Sequence, residues 1–356
     1  MKKNIIAILI QMISLTIIAN DGVINSYGGN IFCAKETRIE LRKERLTFKE
    51  QNGQMLVEVY FEFYNPDEQR IEDVGFITPP HFEPGMEDGE VKHQNLSDFT
   101  VNVNGEDLEY KVSKINETEF KSVFDRPMYD SFVYYFKTTF KNGINIIKHS
   151  YVFKASFTTG GVSGYSYYDY KLTTGKNWAN SEIGDFELKI EKKGLFTVPL
   201  NFNAEQINNW SLVGEGKIAT EDYSLEKSNN KLLYVNIMNG YVIYKCKNLK
   251  PNYNLSIQSY NPIDNFDVLK TIFWSSMNGG HGLDELSSKD YRIGRNALFA
   301  MHGYKFKDKE LRDYFSKYFW YTPNDIISGN VEILDYQQKQ LFDKIVELEK
   351  ENNRKE

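Results

Sequence analysis

Residues 295–306, Arg-Asn-Ala-Leu-Phe-Ala-Met-His-Gly-Tyr-Lys-Phe, gather the side chains best suited to chemistry: a guanidinium at Arg295, a carboxamide at Asn296, an imidazole at His302 and a phenol at Tyr304. An aromatic run follows, Tyr314, Phe315, Tyr318, Phe319, Trp320 and Tyr321. Arg295, Asn296, His302, Tyr304, Trp320 and Tyr321 could form a binding set. A guanidinium fork suits a carboxylate, an imidazole can donate or accept, and flat rings offer stacking faces to a sugar. Each residue also has a plainer use. His302 in a last helical turn can bond free carbonyls, and Arg292 and Arg295 can pair with Asp308, Glu310 or Asp313. Most of the rings must fill a small core, which leaves Trp320 or Tyr321 as the exposed members. The plainer use is preferred for His302, for Arg295 and for most of the rings. No catalytic residue is expected, because a lone His without a spaced acid or nucleophile is not a catalytic set.

The other chemistry-bearing residues are sparse. The five His, at 81, 93, 149, 281 and 302, have no metal-ligand spacing, so neither a metal nor a cofactor is expected. Cys33 and Cys246 are the only cysteines, and in an exported chain they could join as one long-range disulfide. The stretch 160–170, Gly-Gly-Val-Ser-Gly-Tyr-Ser-Tyr-Tyr-Asp-Tyr, suits a recognition loop or an ordinary strand entry, and lacks the G-x-S-x-G spacing of a hydrolase.

The elements that must position these residues follow from composition and period. With 356 residues and 41% hydrophobic content the chain can fill two or three domains, and its 24 Tyr and 24 Phe favour pleated, half-buried surfaces. A net charge of −6 without a basic excess argues against a nucleic-acid partner. Residues 1–20 read as an export signal, with Lys2 and Lys3 ahead of an apolar run. Cleavage is expected near residues 20–22, and retention of the run as an anchor stays open. No later stretch has the apolar length of a membrane span.

Residues 21–265 carry period-two alternation broken by turns, which predicts an antiparallel β-sandwich body, as one large unit or two smaller ones. Val57, Val59, Phe61 and Phe63 should face inward from one strand, and a bulge is expected near residues 43–45. Asn104-Gly105, Asn142-Gly143 and Asn239-Gly240 predict three hairpins, and residues 79–93 a surface loop. Residues 266–284 read as a linker. Residues 285–356 read as a three-helix module, with caps at Ser287 or Ser288 and at Asp308, and a left-handed stop at Gly303. The fold class expected is α+β.

The run 290–323 resembles the extracytoplasmic YARHG domain of bacteria through Arg292, Arg295-Asn296, Ala300, His302-Gly303-Tyr304, Phe306, Leu311, Tyr314-Phe315 and Trp320-Tyr321. Two signature positions depart: the first is Phe299, and the signature Arg is Met301, which removes a charge. The β region is similar, more weakly, to secreted β-rich domains of unknown function. These resemblances imply export and architecture more than chemistry. The expected function is a non-catalytic binding or envelope-associated role. Its helical module would dock on an envelope glycan or peptide, and its partner would be an envelope component or another exported protein. A polysaccharide hydrolase using carboxylates of the β body and a structural adaptor between proteins are the alternatives.

Overall fold

The computed structural model describes residues 27–29, 31–33, 38–78, 96–119, 132–158, 165–200, 207–222, 231–275 and 282–352. The export signal, the loop at 79–93, and His81, His93 and His281 lie outside these residues.

In chain order the strands are β1 (Tyr27–Gly29), β2 (Phe32–Cys33), β3 (Glu40–Gln51), β4 (Gln54–Asn65), β5 (Arg70–Thr78) and β6 (Leu96–Val103). They continue with β7 (Glu106–Asp107), β8 (Lys111–Lys114), β9 (Phe132–Phe140), β10 (Gly143–Lys154), β11 (Ser156–Thr158) and β12 (Tyr165–Lys171). The last are β13 (Ile183–Glu191), β14 (Gly194–Pro199), β15 (Trp210–Asp222), β16 (Lys231–Leu249) and β17 (Leu255–Ser259). The main sheet runs β1-β12-β17-β14-β16-β13-β3-β4-β10-β6-β7, with β11 on β12 and β15 on β16, and a smaller sheet runs β2-β5-β9-β8.

The two sheets share one core, as the alternation requires. Val57, Val59, Phe61 and Phe63 are all buried. Rings from the smaller sheet meet rings from the larger, with Phe140 5.8 Å from Phe63 and Phe76 4.9 Å from Tyr151 between centroids. The opposite face of the main sheet is a ladder of ion pairs, including Lys43 with Glu62 at 2.6 Å and Arg45 with Asp185 at 2.6 Å. The body is therefore layered and sandwich-like, but not wholly antiparallel: β1 lies parallel to β12, and β3 parallel to β13. The bulge in β3 falls between Leu41 and Lys43, just ahead of its expected place, and turns Glu44 to the inside.

The Asn-Gly signals divide. Asn104-Gly105, both at positive φ, does join β6 to β7, but β7 ends after two residues and β8 pairs in the other sheet. Asn142-Gly143 is not a hairpin turn. It carries the chain from β9 in the smaller sheet to β10 in the larger, and the Asn145 carboxamide braces that corner by bonding both backbone groups of Lys141. Asn239-Gly240 lies inside the continuous strand β16, where Gly240 faces Gly214 of β15. A Cβ on Gly240 would lie 2.0 Å from the Val213 carbonyl oxygen, so this glycine serves a close backbone approach.

One inward side chain is out of keeping with its surroundings. His149 of β10 is 2% exposed, with the rings of Phe61, Phe76 and Phe99 within 5.9 Å, and neither of its nitrogens has a hydrogen-bond partner among the described residues. Burial drives its pKa from 6.5 to about 3, so the ring is neutral.

The C-terminal part holds α1 (Asp267–Ser275), α2 (Ser288–Met301), α3 (Lys309–Phe315) and α4 (Tyr336–Asn352). Helix α1 falls within the stretch read as a linker. Its Val268, Leu269 and Ile272 are buried in the same cluster as the helices that follow, and the spacing of these three residues puts them on one helical face. None of the described helices is long and apolar enough to cross a membrane.

Candidate functional site

Local sequence builds one wall of the site. Ser287 caps α2 by accepting from the Asp290 amide while Asp290 accepts from the Ser287 amide, a reciprocal box that closes two orphan donors. At the other end His302 is the last residue in helical conformation, and Gly303 follows at φ +82°. The Gly303 amide bonds the Ala300 carbonyl and the Tyr304 amide bonds the Phe299 carbonyl, which completes a Schellman stop. The Gly303 carbonyl then accepts from the Asn324 amide at 2.8 Å, laying the chain after α3 beside the end of α2.

His302 also reaches α4, its Nε2 lying 2.6 Å from Gln338 Oε1. That same oxygen accepts from the Asp335 amide at 3.2 Å, which fixes it as the carbonyl end of the carboxamide. His302 therefore donates from Nε2, and the imidazole ties two helices together.

The other wall comes from the β body. The Asn236 carboxamide of β16 donates to the Trp320 carbonyl at 3.2 Å and to Thr322 Oγ1 at 3.3 Å. Lys217 of β15 donates to the Tyr321 carbonyl at 2.9 Å. Trp320 Nε1 donates to Asn265 Oδ1 at 3.2 Å. These bonds seam the helical part to the strands, and beside the seam lies a cleft of about 560 Å³.

The helical side of the cleft carries His302, Trp320, Thr322, Asn324 and Gln338, with Met301 at the departed signature position. The strand side carries Ser166, Asn236, Ser259, Tyr260 and Asn261. No Asp, Glu, Lys or Arg is among its described lining residues. Asn261 and Asn324 each accept a backbone amide on Oδ1, and their Nδ2 groups have no partner among the described residues. The cleft thus offers carboxamide donors, hydroxyls and an indole, the set that matches a neutral, hydroxyl-rich molecule.

Of the six residues singled out from sequence, the structure brings only His302 and Trp320 to the cleft. Arg295 pairs with Glu349 of α4 at 3.4 Å, and the neighbouring Arg292 bridges Asp308 and Glu310 at 3.0 and 2.6 Å. Asn296 folds back on the Arg292 carbonyl at 2.7 Å. The Tyr304 ring lies edge-on to Phe306 at 5.0 Å, and its carbonyl accepts from the Tyr321 hydroxyl at 2.8 Å. Trp320 and Tyr321 are both buried rather than exposed, because a module this small needs both rings in its core. Cys33 and Cys246 are buried thiols, one in the smaller sheet and one in β16, with no disulfide between them. Sequence reasoning missed the strand side of the cleft. Its one local signal is Asn236, a carboxamide set among the buried Val235 and Ile237.

Comparisons with known proteins bear on the two parts differently. The YARHG domain model matches residues 276–350, a span that starts just after α1 and runs almost to the end of α4. A crystal structure of a candidate nutrient-binding protein from Legionella pneumophila superposes with a TM-score of 0.62 at 21% identity, covering 92% of this chain and 100% of its own, so the two share a fold. Legionella pneumophila aminopeptidase A in complex with aspartic acid aligns at 8% identity over 65% of this chain and 23% of that one, with a TM-score of 0.27 that carries no weight. No curated protein matches in sequence. Residues 276–350 thus match the YARHG domain, and this stretch is joined along a polar seam to a β-rich body whose fold a solved bacterial protein shares.

Proposed function

We propose that the protein is an exported, non-catalytic binding protein, and that the cleft at the seam holds a neutral, hydroxyl-rich ligand of the cell envelope, a glycan in the first instance. The observation that carries this reading is the lining of the cleft: carboxamides, hydroxyls and an indole, without an ionised side chain of the Asp, Glu, Lys or Arg type among the described residues. An acidic ligand would need a cation there, and the nearby arginines are spent on Asp308, Glu310 and Glu349. The shared fold with a candidate nutrient-binding protein supports a role in holding a ligand.

The test is calorimetric titration of the full chain with a neutral N-acetylglucosamine trisaccharide, alongside Asn324→Ala and Arg295→Ala. Asn324→Ala should weaken binding by about tenfold, the usual worth of a hydrogen bond to a buried ligand group. Arg295→Ala should bind as the native protein does. Loss of binding in Arg295→Ala with none in Asn324→Ala would move the site off the cleft and overturn the reading.

A further inference from the structure

Behind the first cleft lies a second, of about 290 Å³, between α1 and α4. The two share a wall: Asn261 and Gln338 line both. Their chemistry differs sharply across it. The second cleft has an apolar floor of Ile263, Ile272, Phe273 and Leu341, and a rim of carboxamides from Gln337 and Gln340 beside Asp335 and Lys344.

The rim charges are largely occupied. Lys344 is paired with Glu347 at 2.9 Å, and Asp335 accepts from the Gln338 amide at 2.8 Å as the cap of α4. What the second cleft offers an occupant is therefore aliphatic and aromatic surface below and carboxamides above. Carboxamides match the donor and acceptor of a peptide bond, and an apolar floor takes an aliphatic side chain.

The shared wall specifies what sits at the junction. Gln338 Oε1 is used twice, by His302 and by the Asp335 amide, and Asn261 Oδ1 is used by the Ile263 amide at 3.1 Å. Each wall residue thus keeps its amino group for a ligand, and these two donors have no partner among the described residues. A carbonyl oxygen at the junction would satisfy both.

We propose that the second cleft is a peptide subsite. It takes a short uncharged peptide with an aliphatic side chain, joined through an amide carbonyl at Asn261 and Gln338 to the hydroxyl-rich ligand of the first cleft. This rests on the reading of the first cleft in one respect, that a single molecule spans both. The peptide subsite itself stands on the second lining alone.

The experiment titrates the full chain with three probes: the N-acetylglucosamine trisaccharide, N-acetyl-leucinamide, and the trisaccharide carrying that leucinamide in amide linkage. Phe273→Ala removes part of the floor and Gln337→Ala removes an exposed rim carboxamide; the second tests the subsite if the first disturbs folding. Either should weaken leucinamide binding by about tenfold and leave the trisaccharide untouched, while Asn324→Ala should do the reverse. The linked probe should bind at least about tenfold more tightly than the better of its parts, because the second contact becomes intramolecular. Leucinamide binding unchanged in both variants would overturn the peptide subsite. A linked probe no tighter than its parts would overturn the spanning ligand. Leucinamide binding without any trisaccharide binding would sink the reading of the first cleft and leave the second standing.

Discussion

Replacing His149 with Phe should stabilise the protein and flatten its acid sensitivity. The unfolded chain takes up a proton on this ring near pH 6.5, whereas the folded chain resists it until about pH 3. The unfolded state therefore binds more protons throughout that window. The penalty is absent above pH 6.5, and stability drains away as the pH falls toward 3. At 1.36 kcal/mol per pH unit the full drop is about 5 kcal/mol, and about 3 kcal/mol of it is lost between pH 6.5 and pH 4.5. At neutral pH the variant also removes two buried nitrogens without a partner among the described residues, which should add about 1–3 kcal/mol. Phe suits the site because Phe61, Phe76 and Phe99 already surround it, and His149→Leu guards against overpacking by the larger ring. The assay is urea unfolding from pH 7.5 to pH 4.5, followed through tryptophan fluorescence, to which the buried Trp178 and Trp210 of the β body contribute. Native and variant curves that fall in parallel would refute the reasoning, and a variant less stable at pH 7.5 would mean that the imidazole is hydrogen-bonded after all.

Gly303→Ala should destabilise the helical part by at least about 1–2 kcal/mol, since φ is +82° and the new Cβ would lie 2.7 Å from the Thr322 carbonyl oxygen; thermal unfolding of the variant measures it. Met301→Arg places a cation in a cleft with no Lys or Arg among its described lining residues, and should cut trisaccharide affinity by about tenfold or more while creating affinity for a carboxylated analogue, which paired titrations would read. Both thiols should resist iodoacetamide in the folded protein and take one label each in urea, counted by intact mass, because Cys33 and Cys246 are buried and burial raises the Cys33 thiol well above its ordinary pKa.

What could be read from sequence was what is encoded locally. The caps at Ser287 and Asp308 and the left-handed Gly303 each depend on a few neighbouring residues, and all three hold. The inward set Val57, Val59, Phe61 and Phe63 was equally legible, since a half-buried strand writes its own alternation. Asn-Gly pairs were legible only in part, Asn104-Gly105 turning β6 into β7 as expected, because the same dipeptide serves different ends. Asn142-Gly143 turns a corner between sheets, Gly240 admits a close backbone, and Asn52-Gly53, with both φ positive, makes the tight turn between β3 and β4. The cleft was half legible for a related reason. His302 and Trp320 come from one stretch of chain, whereas Ser166, Asn236 and Asn261 reach it from separate strands and loops, a convergence that no local pattern records. Arg295 attracted attention by its type, but its charge is matched on α4, beyond the range of any motif.

The parallel contact of β3 with β13 bears on the order in which the chain can fold. Lys43 lies beside Asp185, and between them come β4 to β12, including most of the smaller sheet. The β3–β4 ribbon can zip from its own turn soon after synthesis, but the flank that β13 will cover must wait until the chain has grown just past its midpoint. Pairings so distant in sequence carry a large loop-closure cost and form slowly. During that interval the ribbon presents an unpaired edge and an uncovered apolar face, the condition under which nascent chains associate wrongly. The rate-limiting event in forming the body should be the docking of β13, and a holding chaperone would have most to do just before it.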